Sequence, residues 1–322
     1  MEISKEQLTS VTFGAVTVGE NNDGYSFLRM TEKEADVYKS IAPYFLKTFS
    51  ASGIRQEFFT DAVEISFEYV AERTTGVESY YFDIYINDIL RHTFGEDKAK
   101  DTTAGSVHFM LPEGKNKVVV YLPSLHIITL KNITLGGATY IEPHRRKLNM
   151  VCYGDSITQG FCTKHPSLAY TNRLAVALNA EVYNKGVGGA TFEQSLIDGR
   201  DTLKPDIVTV AYGTNDWITL TREMFEEKST AFLKKASAVY SDSKIYVFTP
   251  LWRSDYEKET KFGCFWQVGE IIKKTCAELR NIIVLDGAEL LPHSESVMAD
   301  LVVHPDDTGH MLMAEHALRY IH

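Results

Sequence analysis

Four short segments of this 322-residue chain hold residue types that together suit acyl-transfer chemistry. Gly154-Asp155-Ser156-Ile157-Thr158 presents a hydroxyl nucleophile, but a serine is weak without a neighbouring base. Asp300-Leu301-Val302-Val303-His304-Pro305 offers that base. The proline biases His304 away from helix, and a histidine backed by an acid is a candidate general base. Asn184-Lys185-Gly186-Val187-Gly188-Gly189-Ala190-Thr191 is a glycine turn whose amides can face a ligand unobstructed by side chains. Gly213-Thr214-Asn215-Asp216 supplies a side-chain amide able to donate to a developing oxyanion. Taken singly, each has an ordinary explanation as turn or surface chemistry. The serine segment is not the G-x-S-x-G elbow, and the glycine run is neither G-x-G-x-x-G nor a P-loop, so a phosphate cradle is disfavoured.

The elements that must position these residues are legible from period and punctuation. From Leu148 onward, short apolar strands alternate with amphipathic helices. Strands are predicted at Leu148–Tyr153, Glu181–Asn184, Asp206–Ala211, Lys244–Thr249 and Ile282–Leu285. Helices are predicted at Leu168–Leu178, Arg222–Tyr240, Phe265–Leu279 and Thr308–Ile321. This alternation predicts an α/β domain of three layers, a parallel sheet between helices. Ligands of such sheets bind outside the carboxyl ends of the strands, where the serine segment, the glycine turn and the Asn215 segment fall. Before residue 142 the period is two, as in Val63–Tyr69, Tyr81–Asn87, Ile89–Phe94, Val107–Leu111, Lys117–Leu122 and Leu125–Leu135. Only Glu32–Ser40 looks helical there, and Asn87-Asp88 reads as a hairpin turn. An antiparallel β-sandwich, jelly-roll-like, is expected over residues 1–145 and the α/β domain over 146–322. The basic triplet Arg145-Arg146-Lys147 reads as a solvated linker between them, and no internal repeat is found.

The four segments, in the chain order Gly154-Asp155-Ser156, the glycine turn, Gly213-Thr214-Asn215-Asp216 and Asp300 to His304-Pro305, resemble the blocks of the GDSL, or SGNH, hydrolase family over roughly residues 148–322. The resemblance implies Ser156 as nucleophile and His304 as base, with an oxyanion hole formed by the amides of Ser156 and Gly189 and the Asn215 side chain. Gly188 is the near alternative to Gly189. The family places its acid three residues before the histidine, whereas Asp300 stands four before His304 and Leu301 occupies the usual position. Either the loop bulges and Asp300 still orients the imidazole, or a backbone carbonyl does so and the site is a Ser-His dyad. A β-sandwich in front resembles the two-domain carbohydrate esterases of this family. Trp252, Arg253 and Trp217 follow strand ends and are candidates for contact with substrate.

Composition narrows the function further. A formal net charge of −10, spread along the chain, disfavours nucleic acid and anionic membranes as partners. No apolar run is long enough to span a bilayer, and MEISKEQLTS lacks a signal-peptide core, so a cytoplasmic location is expected. The four cysteines show no metal or redox spacing and are expected to be reduced. His304, His310 and His316 do not form a metal motif, and no cofactor is expected. The expected partner is a small acylated substrate, a carbohydrate acetyl ester first, and a homo-oligomer is left open. The alternatives are a lipase, thioesterase or acyltransferase on the same site, or a carbohydrate-binding protein impaired by its displaced acid.

Overall fold

Alternation in the front part becomes two facing antiparallel sheets. In Glu64–Arg73 the side chains of Ile65, Phe67, Tyr69 and Ala71 point inward while their neighbours face outward. This strand lies in a sheet ordered Thr17–Asn21, Gly24–Leu28, His126–Gly136, Glu64–Arg73, Thr102–Met110. The opposing sheet runs Thr12–Phe13, Arg55–Thr60, Asn116–Tyr121, Tyr80–Ile86, Ile89–Glu96, with Ile141–Pro143 also on Arg55–Thr60. Phe58, Phe67, Phe82, Ile84, Val118, Leu130 and Leu135 belong to the core of this sandwich. Asn87 and Asp88, both at left-handed φ (52° and 66°), make the two-residue hairpin turn.

The computed structural model describes residues 1–198 and 203–321. Its front half has more helix than the periodicity predicts. The expected helix over Glu32–Ser40 shrinks to Glu32–Asp36, and Lys5–Val11 and Ala42–Thr48 join it. None exceeds two turns, too short for a 3.6-residue pattern to emerge; the first two are fixed by capping boxes, Ser4 with Gln7 and Thr31 with Glu34.

The back half is a five-stranded parallel sheet ordered Ala180–Asn184, Leu148–Gly154, Ile207–Ala211, Lys244–Phe248, Ile282–Leu285. Helices Tyr170–Ala177 and Asp307–Ala317 pack together with Met150, Cys152 and Tyr246 on one face. Arg222–Val239 and Trp266–Cys276 cover the other through Phe225, Phe232, Val268 and Ile272. The chain leaves its first strand, Leu148–Gly154, in one direction across the sheet and later returns to its other side. That strand is therefore the switch point, the place in an open α/β sheet beside whose carboxyl end ligands bind. Among the described residues no helix is long and apolar enough to cross a membrane.

The basic triplet departs from the solvated linker expected of it. Arg145 and Lys147 are exposed, but the Arg146 side chain is only 7% exposed and reaches Glu57 at 3.1 Å. The reason lies in two buried carboxylates. Glu57, on a sandwich strand, and Glu181, on the second parallel strand, flank the fully buried Arg55 at 2.7 and 2.5 Å. Glu57 also takes His144 at 2.9 Å. Counter-charges are what make such burial tolerable. Arg55→Met should therefore destabilise the protein by about 3–5 kcal/mol, the cost of leaving partners of a buried pair uncompensated. Urea unfolding would measure this, and a change below about 1 kcal/mol would show that the cluster contributes little.

Candidate active site

The first parallel strand ends at Gly154. Asp155 caps the one-turn helix Ser156–Gln159 by accepting the Ile157 amide at 3.0 Å, and Gly160 closes that turn in the left-handed conformation. This places Ser156 at the sheet edge, 8% exposed, with its Oγ 2.9 Å from His304 Nε2. The Phe161 ring packs on the imidazole, centroids 4.6 Å apart.

The displaced acid reaches its histidine. Asp300 Oδ2 lies 2.6 Å from His304 Nδ1. Its other oxygen, Oδ1, accepts the amides of Val302, Val303 and His304 at 2.9, 2.8 and 3.0 Å. Leu301, at φ +60°, turns the chain left-handed and absorbs the added residue. Burial opposes ionisation of Asp300, but the three amides and the imidazole outweigh it and hold the carboxyl down at about 2. The carboxylate is thus charged at any working pH and fixes a proton on His304 Nδ1, leaving Nε2 to face the serine as an acceptor.

The glycine turn follows the second strand, Ala180–Asn184. Gln159, one helical turn beyond Ser156, takes the Gly188 amide at 2.7 Å and donates to Ser50 Oγ at 2.9 Å. That occupies Gly188, whereas the amides of Ser156 and Gly189 have no acceptor among the described residues. Gly189 sits at φ +90°, and a Cβ there would come within 2.7 Å of the Tyr44 ring, so only glycine fits. Asn215 Nδ2 donates to the Ala190 carbonyl at 3.2 Å, which seats this side chain against the same turn and leaves it a second N–H. Gln159, Tyr44 and Phe161 are not marked by the sequence pattern. Gln159 alone had a usable signal, its position one helical turn from the serine.

The remaining candidates divide. Trp252 walls a crevice of about 330 Å³ outside the fourth and fifth strands, stacked on His293 at 5.6 Å and joined there by Tyr256, Trp266 and Lys273. Arg253 is buried. Its guanidinium chelates Asp255 through Nε and Nη2 and lies 4.9 Å from the centre of the Trp217 ring, while its buried Nη1 has no hydrogen-bond partner among the described residues. Trp217 is wholly buried, with its indole N–H donating to the Gly263 carbonyl at 2.9 Å, and it does not reach the crevice surface. In the last helix His310 is fully buried, its imidazole pushed down to about 3 by burial, and His316 bonds the Leu290 carbonyl. Among the described residues no group of three or more acidic, histidine or cysteine side chains could hold a metal.

Two buried carboxyls flank these segments: Asp155, the cap of the serine helix, and Asp216, next to Asn215. Burial, with mutual repulsion contributing at Asp155, pushes Asp155 and Asp216 up to about 7. Asp216 Oδ1 accepts the Phe192 amide at 3.1 Å. The folded protein thus retains protons that an unfolded carboxyl, at about 3.9, would release, so these two groups contribute a fall in stability as pH rises from about 4 to about 7, which the buried, neutral imidazole of His310 opposes over part of that range. Asp216→Asn should flatten that fall; unfolding midpoints at about pH 4.5 and pH 7.5 that keep the wild-type difference would refute it.

No curated protein sequence matches the chain. In structure it is similar to the salicylyl-acyltransferase SsfX3 from a tetracycline biosynthetic pathway, at 19% identity and TM-score 0.80, covering 100% of this chain and 98% of that one. A family two carbohydrate esterase from Cellvibrio japonicus matches at 17% and 0.67, covering 99% and 97%. A family two carbohydrate esterase from Clostridium thermocellum, solved with cellohexaose, matches at 16% and 0.62, covering 84% and 92%. At such identities the likeness is one of fold, a β-sandwich followed by an α/β/α domain. The sequence pattern of the GDSL-like lipase/acylhydrolase family matches residues 152–312, half the chain, and the chain belongs to that family.

Proposed function

We propose that this protein is a serine ester hydrolase for short-chain acyl esters, with acetylated carbohydrates as the first substrate class. The observation that carries this reading is the relay from Ser156 Oγ through His304 to Asp300, with spacings of 2.9 and 2.6 Å. His304 Nε2 takes the hydroxyl proton as Ser156 Oγ bonds to the ester carbon, and the carbonyl π pair moves onto oxygen. That oxyanion is held by the Ser156 and Gly189 amides and the Asn215 side chain. Collapse breaks the bond to the alcohol oxygen, which leaves with the proton from His304. Water then repeats the sequence, releasing the acid and restoring the serine. Asp300 keeps the imidazole oriented and offsets the charge it gains.

Two things support a carbohydrate as the alcohol. The names of two structural neighbours are those of carbohydrate esterases. The crevice carrying Trp252, Tyr256 and Trp266, which is lined by none of the residues assigned to catalysis, offers aromatic faces of the kind that sugar rings stack upon. A second reading, in which the acyl group passes to an alcohol instead of water, is supported by the acyltransferase that matches the chain end to end.

Acetate release from a panel of acetylated oligosaccharides, with Ser156→Ala as control, tests the reading. Ser156-dependent release, with activity falling from acetyl towards hexanoyl esters, is expected; activity rising beyond hexanoate would sink the deacetylase. A product mixture dominated by transfer to an added alcohol would favour the second reading. Asp300→Asn should lower kcat by about 10²-fold or more, because the amide no longer sustains the required tautomer. Near-normal turnover in that variant would mean a Ser-His dyad. Asn215→Ala should cost about 10²–10³ in kcat with little change in KM.

A further inference from the structure

The peptide joining Gly188 to Gly189 has an unusual set of partners. Its carbonyl, on Gly188, accepts a hydrogen bond from Lys47 Nζ at 2.8 Å. Its N–H, on Gly189, is the one assigned above to the oxyanion. The preceding amide is fixed by Gln159 at 2.7 Å, so the turn is held from both sides. Lys47 belongs to the helix Ala42–Thr48 of the sandwich half, more than a hundred residues from the turn it touches. Its main-chain carbonyl is fixed in turn by Arg29 Nη2 at 2.8 Å. The ammonium lies 5.3 Å from the centre of the Tyr44 ring, whose edge packs on Gly189. Among the described residues no carboxylate pairs with Lys47. A half-buried ammonium directs its charge here onto one peptide carbonyl.

A cation on a carbonyl oxygen draws electron density through the amide resonance and leaves the N–H at its other end more positive. We propose that Lys47 is a positioning residue for the oxyanion site, fixing and polarising the Gly188–Gly189 peptide so that the Gly189 N–H becomes a stronger donor. The sandwich half then contributes to the chemistry through a charge as well as to stability. This rests on the oxyanion role given to Gly189 under the proposed function.

A tether and a polariser predict different kinetics. Lys47→Gln keeps a donor but removes the charge, and Lys47→Arg keeps both. For a polariser, Lys47→Gln should lower kcat for p-nitrophenyl acetate about ten-fold, a fraction of the cost of deleting a donor, and leave KM within about two-fold. A boronic acid, which forms a tetrahedral adduct on the serine, should lose affinity by the same factor, and Lys47→Arg should recover most of both. Both variants should keep the wild-type unfolding midpoint; should Lys47→Gln unfold, Lys47→Met is compared with Lys47→Arg in its place.

The proposal is overturned if the neutral variant turns over within about two-fold of wild type, or matches Lys47→Arg. It is equally overturned if kcat falls without a matching loss of boronate affinity. Asn215→Ala and Ser156→Ala keep the two levels distinct. A wild type whose turnover survives Ser156→Ala defeats the hydrolase reading itself. Impaired Asn215→Ala beside a normal Lys47→Gln defeats only the role of Lys47.

Discussion

The guanidinium of Arg29 is fully buried and donates to three main-chain carbonyls, those of Ser50, Lys47 and Asn184, at 2.9, 2.8 and 2.8 Å. Burial lowers it to about 10, which still leaves it cationic at neutral pH. Two of those carbonyls close the helical segment of the sandwich half, and the third ends the second parallel strand where the glycine turn begins. One planar fork therefore sets where the turn stands relative to the residues that hold it. Beside it, Lys185 reaches Glu34 at 2.7 Å and the Arg29 carbonyl at 3.0 Å, adding a buried pair across the same junction. Charges this deep are stabilising only with every partner in place, so the junction tolerates little alternative geometry. The position of the glycine turn is thus a property of both halves of the chain.

The histidine side of the site is built by a different device. His304 stands on a loop, not on a strand or helix, and a loop ordinarily leaves an imidazole free to swing. Here one carboxylate does two jobs: Asp300 Oδ1 gathers three successive amides while Oδ2 holds the ring. The amides that rigidify the loop also keep the carboxylate charged. An added residue that would displace an acid in a plain extended strand is accommodated by Leu301 in the left-handed region, with a local strain that the hydrogen bonds offset.

Much of this was legible in the sequence. The parallel strands and their helices announce themselves through apolar runs and amphipathic period, and Ser156, Asn215 and His304 are polar types in turns just past strand ends or before a closing helix. The choice of Gly189 over Gly188 followed only from counting along the turn; in three dimensions it is Gln159 that takes the Gly188 amide. What could not be read were contacts between segments far apart in the chain. Tyr44 and Lys47 lie on a helix of two turns, with no pattern to mark them, and their significance comes from a turn some 140 positions away. Arg146 looked like linker charge because nothing local signals that Glu57 and Glu181 are buried beside it. The same blindness made Trp217 a candidate for contact with substrate, since position after a strand end does not say whether a side chain turns outward or into the core.

The functional reading stands or falls on Ser156 being an activated nucleophile. Reaction with a fluorophosphonate, followed by peptide mapping, measures this whatever the natural substrate is. Stoichiometric modification confined to Ser156 is expected, at a rate that collapses in His304→Ala. An unmodified Ser156 in folded protein, or equal labelling with and without His304, would show that the hydroxyl is not activated.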